Sequence, residues 1–416
     1  MKESRSLEFK SQVTKGFLKT VSAFANFGTG TILFGVDDDG IPVGLENPAG
    51  ACLDIENRIN DTFDPRPSFN LEVNENARTV ALKVNEGLDK PYLCAGKAYR
   101  RSDTSTVEVD KLELRRLILQ GQNLDFDEIP CGIGSLSFLR LENSLRKSVN
   151  IDSLTDDALK TLGLLGKDGF NNAAAIFADE GKFPGIDIAL FGESEDIILD
   201  RVSVSRKSVL DSFSAAMEFY DRHCCYEKIS GAIREKVETI PRNAFREAVA
   251  NALAHRAWDV PTPVKISIFP DRAEILSPGG LVPGMMPSSY IEGRYSMLRN
   301  PVLAEVFFRL GIIEKFGTGV ARIKRSYEDT GKKPAFEVGD DFICVSLPVL
   351  TADRSASEDE LRVLSQMPRC RLVARSEIDQ ATGFEKTKTI RILNALEEKG
   401  FVQSEGQGRA RKYVRV

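Results

Sequence analysis

Three sets of residues in this chain of 416 have the types and spacing to do chemistry. The first is Glu247, Asn251 and His255, spaced i, i+4, i+8 and therefore on one face of a helix. A carboxylate one turn before an amide suits a nucleotide site, with Glu247 orienting a water and Asn251 holding Mg²⁺. Gly317-Thr318-Gly319 precedes a second helix, where backbone amides can cradle phosphate. The second set is acidic. Glu3 and Glu8 open the chain, and Asp37-Asp38-Asp39 follows an apolar run. Carboxylates converging there could hold Mg²⁺ or Mn²⁺ and activate water against a phosphodiester. The alternative for the aspartates is plain turn chemistry. The third set is basic: Lys10, Arg100 and Arg101 early in the chain, then Lys386, Lys388 and Arg391, then Arg409, Arg411 and Lys412. His223-Cys224-Cys225 lacks the fourth ligand and the spacing of a zinc site and reads as ordinary thiols.

The elements that must position these residues follow from periodicity. Residues 13–27 carry Phe17, Val21, Phe24 and Ala25 at helical spacing before Gly28. Residues 31–36 are a buried strand that delivers the aspartates, 79–84 a second strand, 98–109 a polar strand bearing Arg100 and Arg101, and 110–120 a helix. Residues 123–135, with Pro130, Gly132 and Gly134, read as a linker. Farther on, 173–177 and 187–191 read as strands and 209–219 as a helix. The helix from Pro241 precedes a hairpin of 264–269 and 272–276, a helix over 301–310 and a strand over 342–347. After a polar linker at 350–358, three helices (358–367, 376–382, 385–399) and two strands (401–405, 411–416) follow in winged-helix order. That order places Lys386, Lys388 and Arg391 at the start of the groove-entering helix, and Arg409, Arg411 and Lys412 on the wing.

The fold class is therefore α/β (α+β) and multidomain, with domains at 1–122, 130–350 and 356–416. Seven cysteines with irregular spacing and no C-x-x-C argue against a disulfide framework. No apolar run approaches a membrane span and no secretory h-region opens the chain, so a cytoplasmic protein without a membrane partner is expected. The net charge of −5 means that any nucleic-acid footprint must be local.

The patterned pieces also resemble known families. Residues 246–256 (Arg-Glu-Ala-Val-Ala-Asn-Ala-Leu-Ala-His-Arg), 275–281 (Ile-Leu-Ser-Pro-Gly-Gly-Leu), Arg299-Asn300-Pro301 and Gly317-Thr318-Gly319 resemble the ATPase-like region of RecG-like transcriptional regulators, akin to the GHKL ATPases. Glu8-Phe9-Lys10, residues 22–26 and residues 34–40 resemble the AlbA-like domain shared with Schlafen proteins, and residues 393–402 resemble MarR-type winged helices. The resemblance implies ATP and Mg²⁺ as cofactors, held by Glu247, Asn251, Gly279, Gly280, Gly317, Thr318 and Gly319. In Schlafen nucleases a Glu-x-x-x-x-Glu pair and a later Asp accompany RNA cleavage; Glu3, Glu8 and Asp37 match that pattern. The chain departs from the ATPases where Ser277-Pro278-Gly279-Gly280 replaces an Asp-x-Gly-x-Gly loop, and from the regulators where Ala257-Trp258 replaces Asp-Tyr. The expected function is a homodimeric, DNA-binding transcriptional regulator with a degenerate nucleotide-binding domain as sensor or dimerisation unit. RNA is a second candidate partner. The competing readings are a metal-dependent nuclease using Glu3, Glu8 and Asp37, a weak ATPase using Glu247, and an assembly protein.

Overall fold

The computed structural model describes residues 2–149, 152–230, 233–293, 297–314, 317–350, 358–367, 372–398, 401–406 and 411–415. The chain divides into two compact units, Met1–Pro130 and Cys131–Val416. The first contains β1 (Leu7–Lys10), α1 (Phe17–Phe27), β2 (Gly30–Phe34), α2 (Pro48–Thr62), β3 (Phe69–Asn74), β4 (Thr79–Val84), β5 (Tyr99–Ser102), β6 (Ser105–Glu108) and α3 (Lys111–Gly121). Its sheet runs β1-β2-β4-β3, with β1 parallel to β2 and the other pairs antiparallel. Ile32 and Phe34 of β2 and Val80, Leu82 and Val84 of β4 pack with Phe17, Val21 and Phe24 of α1 and Ile55 and Ile59 of α2. Gly30 is required at the start of β2, because a Cβ there would meet the Phe24 ring at about 2.4 Å. Asn47 caps α2 by accepting from Gly50 N at 2.9 Å, and Asp110 with Glu113 forms a capping box on α3.

The second unit begins with α4 (Leu139–Val149), α5 (Asp156–Thr161), β7 (Leu165–Gly166), β8 (Gly169–Phe170), α6 (Asn172–Phe177), β9 (Glu180–Phe191), β10 (Ile198–Lys207) and α7 (Val209–His223). It continues with β11 (Cys225–Ser230), β12 (Ile233–Glu238), α8 (Arg242–His255), β13 (Val264–Ile268), β14 (Arg272–Pro278), α9 (Pro287–Glu292), α10 (Pro301–Arg309), α11 (Gly319–Arg325), β15 (Ala335–Val338) and β16 (Phe342–Pro348). A six-stranded sheet, β10-β9-β13-β14-β16-β15, is antiparallel except where β13 joins β9. Helices α7 and α8 pack against it. The chain ends in α12 (Glu358–Ser365), β17 (Val373–Ala374), α13 (Arg375–Thr382), α14 (Lys386–Glu398), β18 (Val402–Glu405) and β19 (Lys412–Arg415). These last elements share a core of their own, including Val363, Leu364, Ile378, Leu393, Leu396, Val402 and Tyr413, and their three strands order as β17-β19-β18.

Three expectations are corrected. Residues 173–177 are helical, not a strand: Asn171 Oδ1 accepts from Ala174 N at 3.0 Å, and this cap starts a buried helical turn. Residues 98–109 form a two-stranded hairpin, turned at Asp103 with a φ of 53°, where a single strand was expected. Within the supposed linker, Phe126–Glu128 is a 3₁₀ turn that buries Asp127.

Candidate functional site

Helix α8 is rich in alanine, which favours helix and lets it pack closely. Ala244, Phe245, Ala248, Val249 and Leu253 are buried against the rest of the unit. Glu247, Asn251 and His255, with Ala248 and Ala252 between them, line a cavity of about 450 Å³. The end of α8 is held firmly. Asn300 Nδ2 donates to Ala254 O at 2.8 Å and Arg256 O at 3.0 Å. Ser277 Oγ donates to Ala252 O at 2.9 Å. The wholly buried Arg256 guanidinium donates to the carbonyls of Pro184, Gly185, Val260 and Thr262 and lies 4.3 Å from the Trp258 ring centroid. Burial lowers the Arg256 pKa to about 10. Arg256 and Asn300 thus fix the end of α8 behind the cavity without lining it. Sequence reasoning quoted both as parts of a matching pattern but assigned neither a role.

The Gly-Thr-Gly segment closes onto the same face. A Cβ on Gly319 would lie 2.5 Å from Asn251 Nδ2 and 2.8 Å from Glu247 Oε1, so the α11 backbone rests directly on those side chains. Glu247, Asn251, Gly280, Gly317 and Gly319 all line the cavity, whereas Gly279 and Thr318 do not. Gly279, with a φ of 98°, abuts Ala257, and a Cβ on Gly280 would meet Asp340 O at 2.4 Å. Both glycines are thereby explained by chain packing. Lys315 and Phe316 lie outside the described residues.

Burial raises the Glu247 pKa, and the more distant Glu314 adds to this; Arg246 and Arg322 oppose it at 3.5 and 3.9 Å. Burial, helped by the Arg299 charge, lowers His255 to about 4, so its ring is neutral at pH 7. Glu314 is ion-paired with Arg322, and Arg299 Nη2 donates to Gly280 O at 2.6 Å. The residues fit an ATP–Mg²⁺ complex poorly. Ser277, in place of an adenine-binding aspartate, has its hydroxyl proton engaged on α8, and Gly319 covers the Glu247–Asn251 pair where a hydrated metal would sit.

In the first unit, Glu8 is buried at the centre of an ion-pair network. Its carboxylate meets Arg101 Nη1 at 2.5 Å and Lys10 Nζ at 2.6 Å, and accepts from Thr20 Oγ1 at 2.7 Å. Glu3 Oε1 accepts from Phe9 N at 2.8 Å, and Asp37 Oδ1 from Asp39 N and Ile41 N in an Asx turn. Among the described residues no group of three or more His, Cys, Asp and Glu side chains could hold a metal ion, so the expected convergence of Glu3, Glu8 and Asp37 is not seen. Arg100 pairs with Glu113 at 3.2 Å. All three early cations proposed for nucleic acid, Lys10, Arg100 and Arg101, are therefore engaged by carboxylates.

At the C-terminus the basic residues divide. Lys386, Arg391 and Lys412 are exposed. Lys388 pairs with Asp359 at 2.8 Å and lies 4.0 Å from the Phe384 ring centroid, and Arg411 pairs with Glu397 at 2.5 Å. Arg409 lies outside the described residues. Thr387, Ile390, Arg391 and Asn394 are exposed at i, i+3, i+4, i+7 and share one face of α14. The sequence pattern expects Ile390 on one apolar face with Leu393 and Leu396; those two leucines are buried but Ile390 is exposed, and Asn394 carried no assigned role.

Two family models match the chain. Residues 3–110 match the Schlafen AlbA_2 family, and residues 262–347 match the family described as "Putative ATP-dependent DNA helicase recG C-terminal". The protein thus combines a Schlafen/AlbA_2 domain with a RecG-like, ATPase-like domain; neither model extends over 358–415. Among solved structures, the DIP2311 protein from Corynebacterium diphtheriae aligns with 99% of this chain and 92% of its own, at 19% identity and a TM-score of 0.48. No curated protein matches. No helix among the described residues is long and apolar enough to cross a membrane.

Proposed function

We propose that this protein is a cytoplasmic, DNA-binding transcriptional regulator. Its residues 356–416 act as a winged helix on duplex DNA, and its degenerate ATPase-like domain acts as sensor or dimerisation unit. The observation that carries this reading is the C-terminal module: three helices, a β17-β19-β18 sheet, and a last helix that exposes Thr387, Ile390, Arg391 and Asn394 on one face. Such a face has the right chemistry for a major groove. Arg391 can bond a guanine edge, Asn394 an adenine edge, and Ile390 can contact a thymine methyl. Lys386 and Lys412 flank it as phosphate contacts. The Schlafen/AlbA_2 domain supports a further nucleic-acid contact, with RNA as a candidate; ATP and Mg²⁺ at the Glu247–Asn251 face remain the expectation of the family likeness alone. The test is selection of bound duplexes from a random library by the full chain. Wild type should enrich a defined motif, and Arg391→Ala and Asn394→Ala should each relax one position of it, by about 1–3 kcal/mol of base discrimination. Absence of any enriched motif would reject the regulator reading.

A further inference from the structure

The cavity beside α8 lies in the size range of small-molecule sites, which are mostly apolar with a few placed polar groups. Its walls fit that description. Ile275 and Ile343 and Val345 come from the sheet, Leu281 and Met285 from the segment after β14, and Ile323 from α11. The cavity's uncharged polar lining residues are Asn251, Tyr290, the neutral His255, and Ser277, whose hydroxyl donates to Ala252 O. The charged groups among the described lining residues are three carboxylates and one guanidinium. Glu305 pairs with Arg309 at 2.9 Å, Glu314 pairs with Arg322, Glu247 is covered by Gly319, and Arg299 binds Gly280 O. A triphosphate entering this lining would lose its hydration against aliphatic side chains, which is costly.

We propose that this cavity binds an uncharged, largely apolar small molecule, oriented by hydrogen bonds to Asn251, Tyr290 and His255, in place of a nucleoside triphosphate. Such an effector presupposes the sensor role proposed above and gives it a ligand class. Because α8 and α11 both line the cavity and touch through Gly319, occupancy of the cavity acts on both helices together.

Fluorescence titration of the full chain with N-phenyl-1-naphthylamine, an uncharged apolar probe, tests this. The expected result is saturable one-to-one binding that millimolar ATP–Mg²⁺ leaves unchanged. Leu281→Asp, on a partly exposed wall, should weaken the probe by about tenfold while the thermal melt stays in place. Ala304→Phe, which fills space on α10, should do the same, with circular dichroism reporting whether it folds. Absence of saturable binding in folded protein, displacement of the probe by ATP–Mg²⁺, or unaltered affinity in both variants would overturn the proposal. The same preparations are assayed for duplex DNA. Probe binding sensitive to Leu281→Asp in a chain that binds no DNA would support the cavity assignment and remove the regulator reading alone.

Discussion

Replacing Glu8 by alanine should unfold the first unit far more readily than it should remove any catalysis. The Glu8 and Arg101 side chains are each only 5% exposed and meet at 2.5 Å, with Lys10 at 2.6 Å on the other oxygen. Alanine leaves a buried guanidinium and a half-buried ammonium facing each other without their anion. Breaking a buried pair in this way costs roughly 3–5 kcal/mol. For a unit of this size, each kcal/mol lowers the melting temperature by about 3–5 °C, so a fall of about 9–25 °C is expected for its transition. Calorimetry of the full chain would report it, and hydrogen exchange at β1 and β2 would assign it to the first unit. Glu8→Leu combined with Arg101→Met, which removes both charges, should recover most of the loss. A Glu8→Ala protein melting within about 2 °C of wild type would refute this reasoning. One consequence concerns nuclease assays. Loss of cleavage in Glu8→Ala would follow from unfolding, so Asp37→Ala, in an exposed turn that its neighbours also shape, is the informative variant.

Other outcomes follow from the second unit. Asn300→Leu strips two buried carbonyls at the end of α8 of their donor and should cost about 1–3 kcal/mol per lost bond, read by urea melts of the full chain. His255 has a folded pKa near 4, below its unfolded value of about 6.5, so the neutral ring stabilises the fold above pH 6.5. That contribution, about 2–3 kcal/mol at most, should be lost as the pH falls from 6.5 to 4. His255→Gln should flatten the profile in that window, and an unchanged slope would contradict it. Lys388→Ala should affect stability by no more than about 1 kcal/mol, because its pair with Asp359 is partly exposed, and should leave the selected DNA motif unaltered.

What the sequence could disclose tracks how local each feature is. The i, i+4, i+8 set of α8 was legible, since helical geometry alone puts Glu247, Asn251 and His255 on one side, and they do line one cavity. The Gly-rich approach to α11 was legible as a helix start, but its closure over Glu247 depends on tertiary packing. Glu8 and Arg101 lie 93 residues apart, so no local pattern could show that the supposed metal ligand and the supposed RNA contact neutralise each other. The same holds for Lys388 with Asp359 and Arg411 with Glu397, where a basic cluster in sequence proved partly internal. The short apolar run at 173–177 was ambiguous between strand and helix, and the Asn171 cap decided it. The strand β10 escaped notice because its residues are mostly exposed and polar, which is what an edge strand permits.

The most direct measurement of the central claim is the salt dependence of duplex binding by the full chain. Wild type should lose affinity steeply with salt. Lys386→Ala with Lys412→Ala should flatten the slope of log K against log salt by about 1.8, at roughly 0.9 per phosphate contact, and weaken all sequences alike. An unchanged slope and affinity in that double variant would contradict the assignment of the C-terminal module to DNA.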